Sequence, residues 1–93
     1  MTIAIVPTAN ASRYLQQLCK HWSHKMEVEF TPEAGRIAFP LGPVEMAASP
    51  ETLSVRCTPN DPAETAKMQQ VIADHLNRFA FKEGELVFDW QES

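Results

Sequence analysis

Glycine is scarce in this chain, with three among 93 residues. None builds a phosphate-cradling loop, and no serine sits in a G-x-S-x-G setting. A nucleotide loop and a nucleophile elbow are therefore both excluded. Cysteine is rarer still. Cys19 and Cys57 stand far apart, match no zinc or redox spacing, and read as two reduced, mostly buried thiols of a cytoplasmic protein. No run approaches ~18 apolar residues, so nothing reads as a membrane span. The start, MTIAIVPTANA, lacks the basic and apolar stretches of a signal peptide. Acid is missing from one region. Residues 1–25 carry Arg13, Lys20 and Lys25 and no Asp or Glu, while residues 26–93 carry five bases against twelve acids, for a net charge of −4. An acidic whole lacks the broad basic footprint of a nucleic-acid binder, and the positive charge that exists is local.

What is present is ordinary for a single globular domain spanning 1–93, with 44% hydrophobic and 22% charged residues. A chain this short supports one core and a shallow cleft, not a deep multi-substrate active site.

TIAIVP, residues 2–7, reads as a β-branched strand stopped by Pro7. Residues 9–24 read as a helix whose stripe is Ala11, Tyr14, Leu15, Leu18 and Trp22, started by Thr8 or Asn10 as cap. MEVEF alternates, with Met26, Val28 and Phe30 on one face. PEAG turns the chain through Gly35, and RIAF returns with Ile37 and Phe39 inward. PLGP turns again. VEMAA follows with Val44 and Met46 inward, then TLSVRCT with Leu53, Val55 and Cys57 inward: a four-strand meander. In NDPAE, Asp61 caps a second helix, with Pro62 at its first position and Glu64 in capping-box position. That helix runs to about residue 82 on a stripe of Met68, Val71, Ile72, Leu76 and Phe79, with Gly84 past its end. ELVFDW closes as a strand with Leu86, Phe88 and Trp90 on one face.

The order is β-α-β-β-β-β-α-β. One apolar face per strand and one apolar stripe per helix imply an α+β, two-layer sandwich: a mostly antiparallel sheet with two helices on one face. Glu27, Glu29, Arg36, Glu45 and Arg56 then populate the other face, as a solvated surface or one that meets a partner. A weak echo between QQLCKHWSHKMEVEF and QQVIADHLNRFAFKEGELVFDW is compatible with a pseudo-twofold arrangement such as the TATA-binding-protein-like class.

Candidate chemistry concentrates in RYLQQLCKHWSHK, residues 13–25. Cys19, His21 and His24 do not converge on a helix. His21 and His24 lie about 60° apart on one flank and Cys19 points away toward the core. His21 and His24 could give two metal ligands, but a tight site needs three or four. Near the end of a helix they also complement its dipole, and with Lys25 they could contact an anion. His75 falls within the apolar arc of the second helix, either hydrogen-bonded to backbone or lining a cleft with Arg78.

ASRYLQQLCKHWSHK, VEF, GRI and HLNRFAFKE together resemble a small bacterial domain-of-unknown-function family, number 2218. The resemblance spans nearly the whole chain and is carried by Arg13, Tyr14, Leu15, Leu18, Cys19, His21, Trp22, His24, Lys25, Gly35, Arg36, His75, Leu76, Arg78 and Phe79. It implies no established activity. Domains like it are sometimes joined to flavin-containing siderophore-interacting proteins, which implies an iron-related setting by association. The chain itself carries no flavin or nicotinamide motif, so no cofactor is expected.

The sequence thus favours a binding or accessory module over an enzyme, with no catalytic residue to name. His21, His24, Lys25, His75 and Arg78 are the candidate contacts for a small anionic ligand such as a ferric siderophore carboxylate or a phosphate. The competing expectation is an interaction module or homodimer that uses the sheet face or an edge.

Overall fold

The alternation between residues 26 and 57 pairs as a meander. In a computed structural model that describes residues 1–92, the elements are β1 (Thr2–Pro7), α1 (Ala11–Trp22), β2 (Val28–Phe30), β3 (Ala34–Ile37), β4 (Val44–Ala48), β5 (Thr52–Cys57), α2 (Thr65–Phe79) and β6 (Gln91–Glu92). A 3-10 turn, Pro62–Glu64, leads into α2. The six strands form one antiparallel sheet in the order β2-β3-β4-β5-β1-β6. Both helices pack on one face of it, as the one-sided patterns require. The strands that follow the two helices, β2 and β6, lie at opposite edges.

The core is continuous across the layers. Ala4, Val6, Ile37, Val44, Leu53, Val55 and Cys57 are fully buried from the sheet side. Leu15, Leu18, Cys19, Met68, Ile72 and Leu76 meet them from the helices. The described residues include no helix long and apolar enough to cross a membrane.

Four local expectations are corrected. Gly35 belongs to β3, and the turn lies before it, where Thr31 Oγ1 accepts the N–H groups of Glu33 (3.3 Å) and Ala34 (3.1 Å). Glycine is needed at 35 for close approach: a Cβ there would stand 2.9 Å from Cys19 Sγ and 3.2 Å from Leu15 Cδ2. Phe30 keeps the face of Val28, opposite Gly35, but is 37% exposed, because β2 is the outermost strand and helix cover runs out. Phe39 lies past the end of β3, half-buried and stacked on Trp22. ELVFDW does not form a strand. Only Gln91 and Glu92 ladder with β1, while the Leu86 N–H is taken by Asn77 Oδ1 of α2 at 2.7 Å. The alternation survives without the ladder, since Leu86 is buried and Phe88 and Trp90 are half-buried.

The helix boundaries shift as well: α1, expected over residues 9–24, covers Ala11–Trp22, and α2 moves at both ends. At the NDPAE signal, Asp61 Oδ1 accepts the Ala63 N–H at 3.0 Å and the Glu64 N–H goes to the Asp61 carbonyl at 2.9 Å, so the first turn is 3-10 and the α-helix proper starts at Thr65. α2 ends at Phe79 and Gly84, at φ +88°, sits in the loop beyond.

Gly35→Ala should therefore destabilise the protein by about 1–3 kcal/mol, the cost of overpacking a tight core. Combined with Cys19→Ala, which removes the clashing sulfur, the loss should fall short of the sum of the two single losses in urea denaturation. Strict additivity would show that the two sites do not touch.

Candidate functional site

α1 spends one face on the core, burying Ala11, Tyr14, Leu15, Leu18, Cys19 and Trp22. The next positions round the helix, Arg13, Gln17 and His21, recur at spacing four and share one flank. α2 lies beside that flank and runs antiparallel to α1. Tyr14 meets Glu83, His21 meets Phe79, and Trp22 meets His75, so residue numbers rise on one side as they fall on the other.

One end of this helix pair is tied by a carboxylate. Glu83, in the loop after α2, accepts from Thr8 Oγ1 (3.1 Å), Asn10 Nδ2 (3.0 Å) and the Tyr14 hydroxyl. Thr8 Oγ1 in turn accepts the Asn10 N–H at 3.1 Å. Asn10 is the N-cap of α1, but its side chain makes no bond to the helix. The carboxylate of Glu83 is placed near that N-terminus instead, where the helix dipole favours negative charge. Burial, followed by the hydrogen bond to Glu83, raises the Tyr14 hydroxyl above its ordinary pKa. The bonds from Tyr14 and then Asn10 hold Glu83 below the usual carboxylate value, against a smaller opposing push from burial. Beside this tie is a cavity of about 390 Å³ lined by Arg13, Tyr14, Gln17, Phe79, Lys82 and Glu83, among others.

The other end holds a chain of rings. Phe39 stacks on Trp22 at 4.9 Å, Trp22 meets His75 at 5.0 Å, His75 meets His21 at 5.5 Å, and His21 meets Phe79 edge-on at 6.2 Å, all between ring centroids. His75 Nδ1 lies 2.8 Å from the Val71 carbonyl oxygen. A carbonyl can only accept, so Nδ1 carries the proton and Nε2 is the nitrogen left for a ligand. Phe79 belongs both to the ring chain and to the lining of the cavity, so it stands between the two ends, with His21 on its far side.

Of the five candidate residues, the fold brings His21 and His75 together. His24 and Lys25 lie in the exposed turn after α1. Arg78 faces a separate groove of about 880 Å³ between α2 and residues 84–90, with Asp74, Asn77, Phe88 and Trp90 among its lining. Among the described residues no group of three or more His, Cys, Asp or Glu is placed to hold a metal ion, so His21 and His24 gain no third ligand. Both cysteines are free and fully buried, and burial pushes their thiols up to about 11 for Cys19 and about 12 for Cys57, which leaves them unreactive core residues. Arg13, Gln17, Lys82 and Glu83 join the site only in three dimensions. The i, i+4, i+8 spacing of Arg13, Gln17 and His21 was the signal available for the α1 side.

The family model described as "Uncharacterized protein conserved in bacteria (DUF2218)" matches residues 3–91, and the chain belongs to that family. The NMR structure of PA4090 from Pseudomonas aeruginosa is similar at 42% sequence identity and a TM-score of 0.79, over 97% of this chain and 93% of that one. No curated protein matches the chain.

Because Glu83 is the receiving end of the tie, Glu83→Gln should lower stability near pH 7 by about 1 kcal/mol, a modest figure for a charge open to solvent. A carboxylate whose folded pKa is depressed contributes stability above its unfolded pKa and loses it as pH falls through the folded value. The gap between wild type and variant should thus be full at neutral pH and close as the pH drops below the usual carboxylate range. An equal gap at both ends of that range, read by urea denaturation, would show that the charge of Glu83 is not what holds the helices.

Proposed function

We propose that this member of the bacterial DUF2218 family is a binding module that takes a small anionic ligand in the groove between α1 and α2. The observation that carries the reading is the meeting of two imidazoles, His21 and His75, at 5.5 Å beside a cavity rimmed by Arg13 and Lys82. Charge supports it. No acid lies within residues 1–25, and Glu83, the carboxylate that lines the cavity, is already occupied by Thr8, Asn10 and Tyr14. The free partners along the groove are therefore donors. A guanidinium offers a planar fork to a carboxylate or phosphate, an ammonium offers a point charge, and the His75 ring, its Nδ1 committed to the Val71 carbonyl, donates to an anion from Nε2 when an anion draws a second proton onto the ring.

Phe79 adds an apolar wall between the cavity and His21. An anion with a flat or apolar body suits this wall better than a bare ion. A ferric siderophore carboxylate has that character. On this reading a flavin-containing siderophore-interacting protein is the partner that supplies any reduction, and the present chain supplies recognition. His24 and Lys25 extend the positive surface at the end of α1, and Arg78 takes no part.

The test is a titration of isotope-labelled protein with phosphate, citrate and gallium(III) citrate, the last a diamagnetic stand-in for the ferric complex. Saturable shifts should gather at Arg13, His21, His75 and Lys82. The double variant Arg13→Gln/Lys82→Gln should weaken binding by about tenfold or more, since each lost charge-assisted bond is worth on the order of 1 kcal/mol. Absence of saturable shifts at these residues up to about 10 mM of every probe, a limit beyond which binding is negligible, would overturn the reading. So would binding that the double variant leaves unchanged.

A further inference from the structure

The face of the sheet away from the helices is uncovered, and the register of the strands sorts its side chains into two rows that run across the strands. In the first row Glu29 stands opposite Arg36, Arg36 opposite Glu45, and Glu45 opposite Arg56. All four are exposed. The row therefore reads minus, plus, minus, plus. In the second row, two residues further along each strand, Ala34 stands opposite Ala47 and Ala47 opposite Ser54, with Thr31 beside Ala34 through its N–H at 2.7 Å to the Ala34 carbonyl. Small side chains there leave a furrow of about 570 Å³ with Ile3 of β1 in its lining, and Ile5, 52% exposed, stands opposite Ser54.

From these two rows we infer that this face binds a second copy of the chain. A row of four alternating charges, minus, plus, minus, plus, complements its own reversal. Place a twofold axis parallel to the strands, between β3 and β4, and turn a copy onto the face. Arg36 then faces the partner's Glu45 and Glu29 faces the partner's Arg56, each twice over by symmetry. The same operation sets Ala34 against the partner's Ala47 and Thr31 against the partner's Ser54. The small row meets a small row, so the two sheets can approach, and hydroxyl meets hydroxyl. A nucleic acid, or a peptide of one charge sign, gains nothing from this face, because its charged row has no net charge. The proposal is independent of the helix groove, which lies on the other side of the sheet.

The face is small. Four strands at ~4.8 Å spacing and about five residues in length give a patch roughly 20 by 17 Å, well under the ~800 Å² per partner of a standard interface. The dimer is accordingly weak and reversible, with a dissociation constant on the order of 100 µM. The close Arg–carboxylate pairs set its register more than its strength.

Sedimentation velocity from about 10 µM to about 1 mM, bracketing that constant, decides the matter. Wild type should pass from monomer to dimer. Arg36→Glu/Arg56→Glu makes the row all acidic, and Glu29→Arg/Glu45→Arg makes it all basic. Each alone should stay monomeric, and the two mixed should form a one-to-one heterodimer at lower concentration than wild type. Ala47→Arg, which fills the furrow and leaves the charged row intact, should also abolish the dimer and covers the case in which a charge-reversed variant fails to fold. A wild type that is monomeric throughout overturns the inference. A dimer that Ala47→Arg leaves intact overturns it equally, by assigning association to another surface.

Discussion

The close approach of α1 to the sheet at Gly35 governs the rest of the molecule. With no side chain at that position, Cys19 and Leu15 settle against the backbone of β3, and the helix is seated deeply over the meander. That depth fixes where everything on the other faces of α1 ends up. Trp22 reaches Phe39 beyond the end of β3 and His75 on α2. The Arg13–Gln17–His21 flank lies beside α2, where Arg13 and Gln17 share a cavity with Phe79 and His21 meets Phe79 and His75. A helix held further out by even a methyl group would lose contacts along its whole length, because packed interiors do not deform continuously.

The groove is bounded at its ends by two different kinds of interaction, and the difference suits a binding role. The Glu83 end is a hydrogen-bonded tie: three donors from the start of α1 converge on one carboxylate from the loop after α2. It closes a long loop and fixes the relative slide of the helices. The His21–His75 end is a run of ring contacts without a tie across it, and its one fixed polar bond, from His75 to the Val71 carbonyl, serves to orient an imidazole. Orientation by a backbone partner is what leaves one ring nitrogen committed and the other open. The sheet's outer face is separate from all of this. Its charges are ordered by strand register alone, so the molecule can use its two sides for different tasks.

Much of the architecture was legible in the sequence because burial follows period. The 2-residue alternation from Val44 to Cys57 and the 3.6-residue stripe from Ala11 to Trp22 each face the core as read. The family, too, was legible from the run around residues 13–25 and agrees with the match over residues 3–91. What escaped depends on contacts between residues far apart in the chain. Gly35 looks like a turn glycine until the thiol of Cys19 is placed beside it. ELVFDW alternates as a strand does, but the side chain of Asn77 captures its amide at Leu86 before β1 can. Nothing near Glu83 announces that its partners are Thr8, Asn10 and Tyr14. The meeting of His21 and His75 was posed by the sequence as a question, and the antiparallel pairing of the helices answers it, while sending Arg78 to the opposite flank of α2.

The central claim is that His21 and His75 form an oriented pair open to a ligand. The most direct measurement is the long-range proton–nitrogen spectrum of the three imidazoles at neutral pH, with and without citrate. The account predicts that His75 keeps a proton on Nδ1, facing the Val71 carbonyl. It also predicts that citrate moves the His75 Nε2 and His21 signals together. A His75 ring without a proton on Nδ1, or a citrate response confined to His24, would contradict it.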